Sequence, residues 1–349
     1  MRLAGCGLLI GTIFFATSSL AQAACSGRDL IAELPVEKRA EIDQSVAAMP
    51  FAAGTMWRAT KGPATMTLIG TYHLTDPRLD PLVQAGIDTL TPDVASLMVE
   101  AGAAEMAQLQ AEMIKDPSIM MDPTGPTLPE RLSETEWQRL SAQLEQRGFP
   151  PIIASRLRPW YAGLMLGMSQ CALNEMKSGT GHGVDQQLMD HAADLSIPVV
   201  ALEPYDTVLK IASAMSDEDE IAMIKGSLPQ IELADDYGET SLAAYLRGQM
   251  GLLWLFTRQD YVENAGVAPE EADRQFDLTE KALMTDRNKA WIAPLVAAAD
   301  DAAKDGKSIV AAFGALHLPG AEGVPQLLQD QGWTVTQIDV PGQGAHAGN

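Results

Sequence analysis

Four short apolar runs, Thr65 to Ile69, Val94 to Val99, Ile197 to Leu202 and Ser308 to Phe313, are separated by much longer stretches of helical character. This alternation constrains the fold more than any other feature of the chain. Runs this short, rich in β-branched and small apolar residues, suit strands buried inside a sheet. Helical connections of such length between buried strands imply parallel neighbours. The expected fold class is therefore α/β, a largely parallel central sheet with helical cap segments.

The intervening stretches can be read in turn. Glu130 to Gly148 is amphipathic and opens with the capping box Ser133-x-x-Glu136, in which each residue satisfies a free backbone N–H of the other. Val184 to Leu195, Asp206 to Lys225 and Glu270 to Asp305 also read as helices, and Pro325 to Asp330 followed by Trp333 to Ile338 reads as a helix and an edge strand. Two Met-rich helical insertions, near 103–178 and 213–285, are read as cap segments, their methionines either filling a helical core or forming a pliable groove over the strand ends. No low-complexity linker divides the chain, so residues 24–341 are expected to form a single domain, with 342–349 a disordered Gly-rich tail.

Residues 1–23 carry Arg2, an apolar stretch from Leu8 to Ala16 and the small-residue figure Ala21-Gln22-Ala23, the pattern of a cleavable signal peptide. The apolar part is well short of the ~20 residues a spanning helix requires, so no transmembrane segment is expected in the mature chain. The expected location is periplasmic or secreted. In an oxidising compartment Cys25 and Cys171, the two cysteines left after cleavage, are expected to form a disulfide. A formal charge of −22 opposes association with nucleic acid or anionic membrane surfaces.

Each of the four expected strands runs into an ionisable residue: His73, Glu100, Glu203 and His317. Two of these close the same figure, Gly70-Thr71-Tyr72-His73 and Gly314-Ala315-Leu316-His317, and the glycine in each is expected to permit a tight turn at the strand end with no side chain in the way of a ligand. Parallel strands share one rim at their C-terminal ends, where ligands bind. Two imidazoles and two carboxylates should thus meet in one cleft. No HExxH helix, spaced cysteine set or GxSxG motif is present, which argues against the common zinc-protease, structural-zinc and serine-hydrolase chemistries.

These residues resemble the TraB/GumN family, related to the Tiki proteases and more distantly to the erythromycin esterases and ChaN-like proteins. The matching stretches are GTYHLTDPRL (70–79), LMVEAG (97–102), GHGVDQQLMDHAADLSIPVVALEP (181–204), DRNKAW (286–291) and VAAFGALHLPGAEGVPQLLQDQGWTV (310–335), in order along nearly the whole mature chain. The resemblance is to the exported GumN-like bacterial branch. It implies a metal and catalytic set at His73, His317 and Glu100, with Asp185, Glu203, Arg287 and Asn288 as further motif positions.

Two imidazoles and a carboxylate are donors that Mn²⁺, Co²⁺ or Zn²⁺ accepts, and such an ion would acidify a bound water. On this reading His73, His317 and Glu100 are ligands, and Glu100 or Glu203 is the base. Arg287 binds the developing oxyanion or a substrate carboxylate, Asn288 accompanies it, and Tyr72, His182 and Asp185 are candidate substrate contacts. A metal-free alternative, in which a His with a carboxylate partner activates water, also fits the residue types. The expected activity is hydrolysis of an amide or ester, with a peptide favoured by the Tiki resemblance. The alternatives are a noncatalytic envelope or polysaccharide-associated binding protein using the same cleft, and a haem- or iron-binding protein, as the ChaN-like relatives imply.

Overall fold

The computed structural model describes residues 27–179 and 181–343. The expected signal peptide and Cys25 lie outside the described residues, and so do residues 344–349 of the expected tail. Cys171 lies on the helix Gln170–Ser178.

Six strands form one sheet: β1 (Met56–Lys61), β2 (Ala64–Thr71), β3 (Val94–Val99), β4 (Val199–Ala201), β5 (Ser308–Gly314) and β6 (Thr334–Gln337), in the order β4-β3-β5-β2-β1-β6. The four members from β4 to β2 run parallel, whereas β1 lies antiparallel to both β2 and β6. The expected mostly parallel α/β fold is thus present. β1 was not among the expected strands. Its Arg58 and Lys61 interrupt the apolar run, and it forms through a tight hairpin in which Lys61 pairs with Ala64 across Gly62 (φ +58°) and Pro63.

The reading Ile197 to Leu202 contracts to the three residues of β4, and this strand is not buried as expected. It forms the sheet edge, where Val199 and Val200 are 37% and 41% exposed. Ile197 is drawn away by closing the preceding helix, its N–H bonding to Ala192.

Side chains alternate across the central strands, as the pleat requires. Ile69, Leu97, Val99, Val310 and Ala312 pack on one face against Leu82 and Val83 of the helix Asp80–Ile87 and Val184 and Leu188 of the helix Val184–Asp194. On the opposite face Leu68, Met98, Ala311 and Phe313 meet Trp291, Leu295 and Ala299 of the helix Asp286–Lys304. A separate apolar cluster, including Leu128, Leu140, Leu157, Leu173 and Ile224, holds the helical segments together.

The expected helices are present but more divided. Ser133 and Glu136 form the anticipated box, Ser133 N–H donating to the Glu136 carboxylate at 2.7 Å, on the helix Glu134–Gln146. The stretch Asp206 to Lys225 splits into Thr207–Ala214 and Asp217–Ser227, where Ser216 caps the second helix. The long stretch Glu270 to Asp305 becomes Pro269–Glu280 and Asp286–Lys304, joined by the π-turn Lys281–Thr285, which ends two residues before Arg287. A π-turn shifts the helix register at this point and re-aims the side chains beyond it.

Candidate functional site

The C-terminal rim of the parallel strands brings the expected residues together. β2 leads to Tyr72 and His73, β3 to Glu100, β4 to Glu203, and β5 to Gly314 and the short turn Ala315–His317. The helix Asp286–Lys304 adds Arg287, Asn288 and Trp291 from one face of the sheet, and the helix Val184–Asp194 adds Asp185 from the other. A cavity of about 330 Å³ opens over the rim, lined by Tyr72, His73, Glu100, Arg287 and His317 among others.

Of the two reasons expected for the glycines of the paired figures, the missing side chain holds and the tight turn does not. Neither has a positive φ, so no turn demands glycine there. Close approach does: a Cβ on Gly70 would fall 2.5 Å from Leu318 Cδ1 and 2.9 Å from Ala315. A Cβ on Gly314 would lie 3.2 Å from Glu100 Oε1, 3.3 Å from His73 Nε2 and 3.7 Å from His317 Cδ2. The space above Gly314 is therefore where the two imidazoles and the carboxylate converge.

Arg287 is the hub. Its Nε–H donates to Glu203 Oε1 at 2.6 Å, and Nη2 donates to Glu100 Oε2 at 2.5 Å and Glu203 Oε2 at 3.1 Å. Nη1 donates to the Leu283 carbonyl at 3.0 Å and faces His317 Nε2 at 3.3 Å. All five guanidinium N–H groups are thereby engaged. Trp291, one turn along the helix, donates its indole N–H to Glu203 Oε1 at 2.9 Å, and the Arg287 guanidinium lies over its ring.

His317 is buried, with its ring 4.4 Å from that of Trp291. Its Nδ1 is 2.5 Å from Asn288 Oδ1, and the Asn288 amide is fixed because Nδ2 donates to the Glu322 carbonyl at 2.8 Å. These bonds assign the Nδ1–H tautomer, which leaves the Nε2 lone pair to accept from Arg287. Burial lowers the His317 pKa to about 3, with Arg287 and His73 adding to the effect and Glu100 opposing it. His317 is thus a neutral acceptor near pH 7.

Burial works against the Glu100 charge, but His317, Arg287, His73 and the Gly314 N–H outweigh it, and the carboxyl is held down at about 2. With His317 neutral near pH 7, the standing contributions are those of Arg287, of His73 in its protonated form, and of the 2.6 Å bond from Gly314 N–H to Oε1.

His73 differs from its counterpart. Its side chain is 60% open toward the cavity, whereas Nδ1 lies 3.3 Å from Asp185 Oδ1, an oxygen buried without a hydrogen-bond partner elsewhere. Burial disfavours its charge, but Asp185 and then Glu100 more than compensate, so its pKa is raised. The ring is placed with Nδ1 toward a carboxylate and Nε2 toward the open space above Gly314. Gly183 makes this possible, because a Cβ there would collide with the His73 carbonyl at 2.4 Å.

Tyr72 lines the same cavity and stacks on the buried Tyr245 with ring centroids 5.4 Å apart. Tyr245 O–H donates to the Gly70 carbonyl at 2.8 Å, which fixes the end of β2. His182 stands apart: its N–H donates to Thr75 Oγ1 and its ring faces Asp190 at 3.6 Å on the outer side of the helix. Trp291 and Tyr245 were missed in the sequence. For Trp291 the signal was available, since it sits four residues after Arg287 and thus on the same helix face.

The donor types of His73, Glu100 and His317 suit a transition metal. In the geometry described, however, Glu100 spends one oxygen on Gly314 N–H and the other on Arg287, and His317 Nε2 faces Arg287. Among the described residues no three His, Cys, Asp or Glu side chains are grouped to hold an ion.

A parallel-sheet rim carrying paired Gly-x-x-His figures around a buried Arg–Glu network defines the class of protein. Residues 55–337 match the model of the TraB/PrgY/gumN family, and the chain belongs to that family. It is 27% identical over 286 residues to the uncharacterized protein YbaP of Escherichia coli (strain K12), covering 79% of this chain and 97% of that protein, and equally similar to YbaP of Shigella flexneri. No solved structure gives a significant match.

Proposed function

We propose that this chain is an exported hydrolase in which His73 activates a water for attack on an amide or ester carbonyl, a peptide being the favoured substrate. One observation carries the reading: His73 offers an open Nε2 to the cavity while Asp185 stands at its Nδ1. Nε2 takes a proton from water as the oxygen bonds to the carbonyl carbon, and Asp185 stabilises the imidazolium that results. The oxyanion develops beside the Arg287 guanidinium and binds it by displacing one of the partners that hold all five of its N–H groups at rest. Collapse of the tetrahedral species breaks the bond to the leaving amine or alcohol, which takes the proton back from His73. Glu100, Glu203 and Asn288 hold Arg287 and His317 in place. Export rests on the signal-like pattern of residues 1–23.

A second reading keeps a divalent cation, favoured by the convergence of His73, Glu100 and His317 on the space above Gly314. Those three residues would hold Mn²⁺, Co²⁺ or Zn²⁺, and the ion would supply an acidified water. Hydrolysis of a panel of peptides and p-nitrophenyl esters, measured before and after chelation, tests both. Turnover that survives chelation and disappears in His73→Ala supports the first reading; turnover lost on chelation and restored by one metal supports the second.

A further inference from the structure

The catalytic cavity does not end at the rim. A second cavity of about 440 Å³ shares Ser241, Leu253 and Leu316 with it and runs beneath the helical segments. Its walls are mainly apolar, formed by Leu166, Ile231, Leu253, Trp254 and Phe276 as well as Leu316, the residue next to His317. The tyrosines that reach it are already committed: Tyr237 O–H donates to Asp260, and Tyr261 O–H donates to Gln275 at 2.5 Å. Cavities of roughly 300–1,000 Å³ with apolar walls and few polar groups are the size and character of small-ligand sites. Among the described residues, none that lines this one is charged.

Resting on the hydrolase reading above, we infer that this side cavity is the specificity pocket, and that the substrate carries a bulky apolar group, an acyl chain or a large apolar side chain, adjoining the scissile carbonyl. Leu316 and Leu253 are the threshold, because they line both spaces. An apolar group seated beyond them leaves its carbonyl in the catalytic cavity beside His73. A short or strongly charged group at that position gains nothing from the pocket.

Gly163 gives a clean test. It lies on the helix Pro159–Gly167 and lines the side cavity, and a Cβ there would meet nothing within 4 Å. Gly163→Phe should place a phenyl ring at this wall of the cavity, and replacing a helical glycine does not cost helix propensity. In the native protein, kcat/KM for p-nitrophenyl esters should rise from acetate to decanoate by about fourfold per methylene, equivalent to ~0.8 kcal/mol, until the pocket is filled. Blocked phenylalanine and glycine esters form the parallel arm that separates side chain from acyl chain. Gly163→Phe should flatten whichever series rises, whereas Gly163→Ala should keep its slope. Binding of decanoate and of N-acetylphenylalanine, measured by calorimetry on the native protein and on His73→Ala, separates this inference from the hydrolase reading. Binding that is kept in His73→Ala and lost in Gly163→Phe supports the pocket even if no ester is hydrolysed. Neither compound binding, or a preference that Gly163→Phe leaves intact, would overturn it.

Discussion

Asp185 Oδ1 sits 3.3 Å from Nδ1 of His73 and has no hydrogen-bond partner elsewhere, although 112 residues separate the two along the chain. The carboxylate raises the imidazole's pKa against the opposing effect of burial. A base acts in its neutral form, so the acidic limb of kcat/KM should have its midpoint above 6.5, the ordinary value for histidine. Asp185→Asn should move that midpoint down and lower the plateau by about 10²-fold, as loss of a base's orienting partner does. A pH–rate profile on both proteins reads the shift.

Arg287 bridges two carboxylates that are themselves largely buried. Removing it leaves Glu100 and Glu203 facing each other without a cation, a loss on the order of 3–5 kcal/mol for a buried pair broken from one side. Arg287→Ala should therefore lower the Tm by several degrees and abolish turnover. Arg287→Lys should recover little of either, since an ammonium cannot span both carboxylates and His317 at once. Thermal unfolding followed by circular dichroism checks this.

His317 is buried and neutral, with its pKa pressed down to about 3. Below about 6.5 the unfolded chain binds a proton at this histidine that the folded chain refuses, so proton uptake favours unfolding. Its contribution should make the fold progressively less stable as pH falls from about 6.5 toward 3. Urea midpoints at pH 7, 5.5 and 4.5 should drop in the native protein, and the drop should be smaller in His317→Gln.

Gly314→Ala places a methyl 3.2 Å from Glu100 Oε1 and 3.3 Å from His73 Nε2. The open His73 ring has room to swing away, so stability should change little. The reacting geometry is lost with it, and kcat/KM should fall at least about 10²-fold, the cost of a displacement near 1 Å. Parallel Tm and kinetic measurements separate the two effects.

Much of this arrangement was legible in the residues. The runs ending at His73, Glu100 and His317 are strands because their apolar, β-branched composition leaves few alternatives, and a parallel sheet then forces their ends onto one rim. β1 was hidden by Arg58 and Lys61, and it exists because β2 and β6 pair with it on either side. The division of roles between the two histidines was not legible, for Gly-x-x-His reads the same in both. It arises from what lies behind each ring: Asp185 behind His73, and Asn288 with Trp291 against His317. Likewise the spacing of Arg287 and Trp291 could not reveal that both donate to Glu203.

The most direct test of the central claim is the rate of ester and peptide hydrolysis by purified His73→Ala beside the native protein, with unfolding curves to establish that both are folded. The account predicts a protein that still unfolds cooperatively, with a Tm lowered because Asp185 Oδ1 loses its neighbouring imidazole, and a fall in kcat/KM of about 10²–10⁴-fold, the contribution of a positioned general base. A folded His73→Ala protein that turns over the same substrates at the native rate would contradict it.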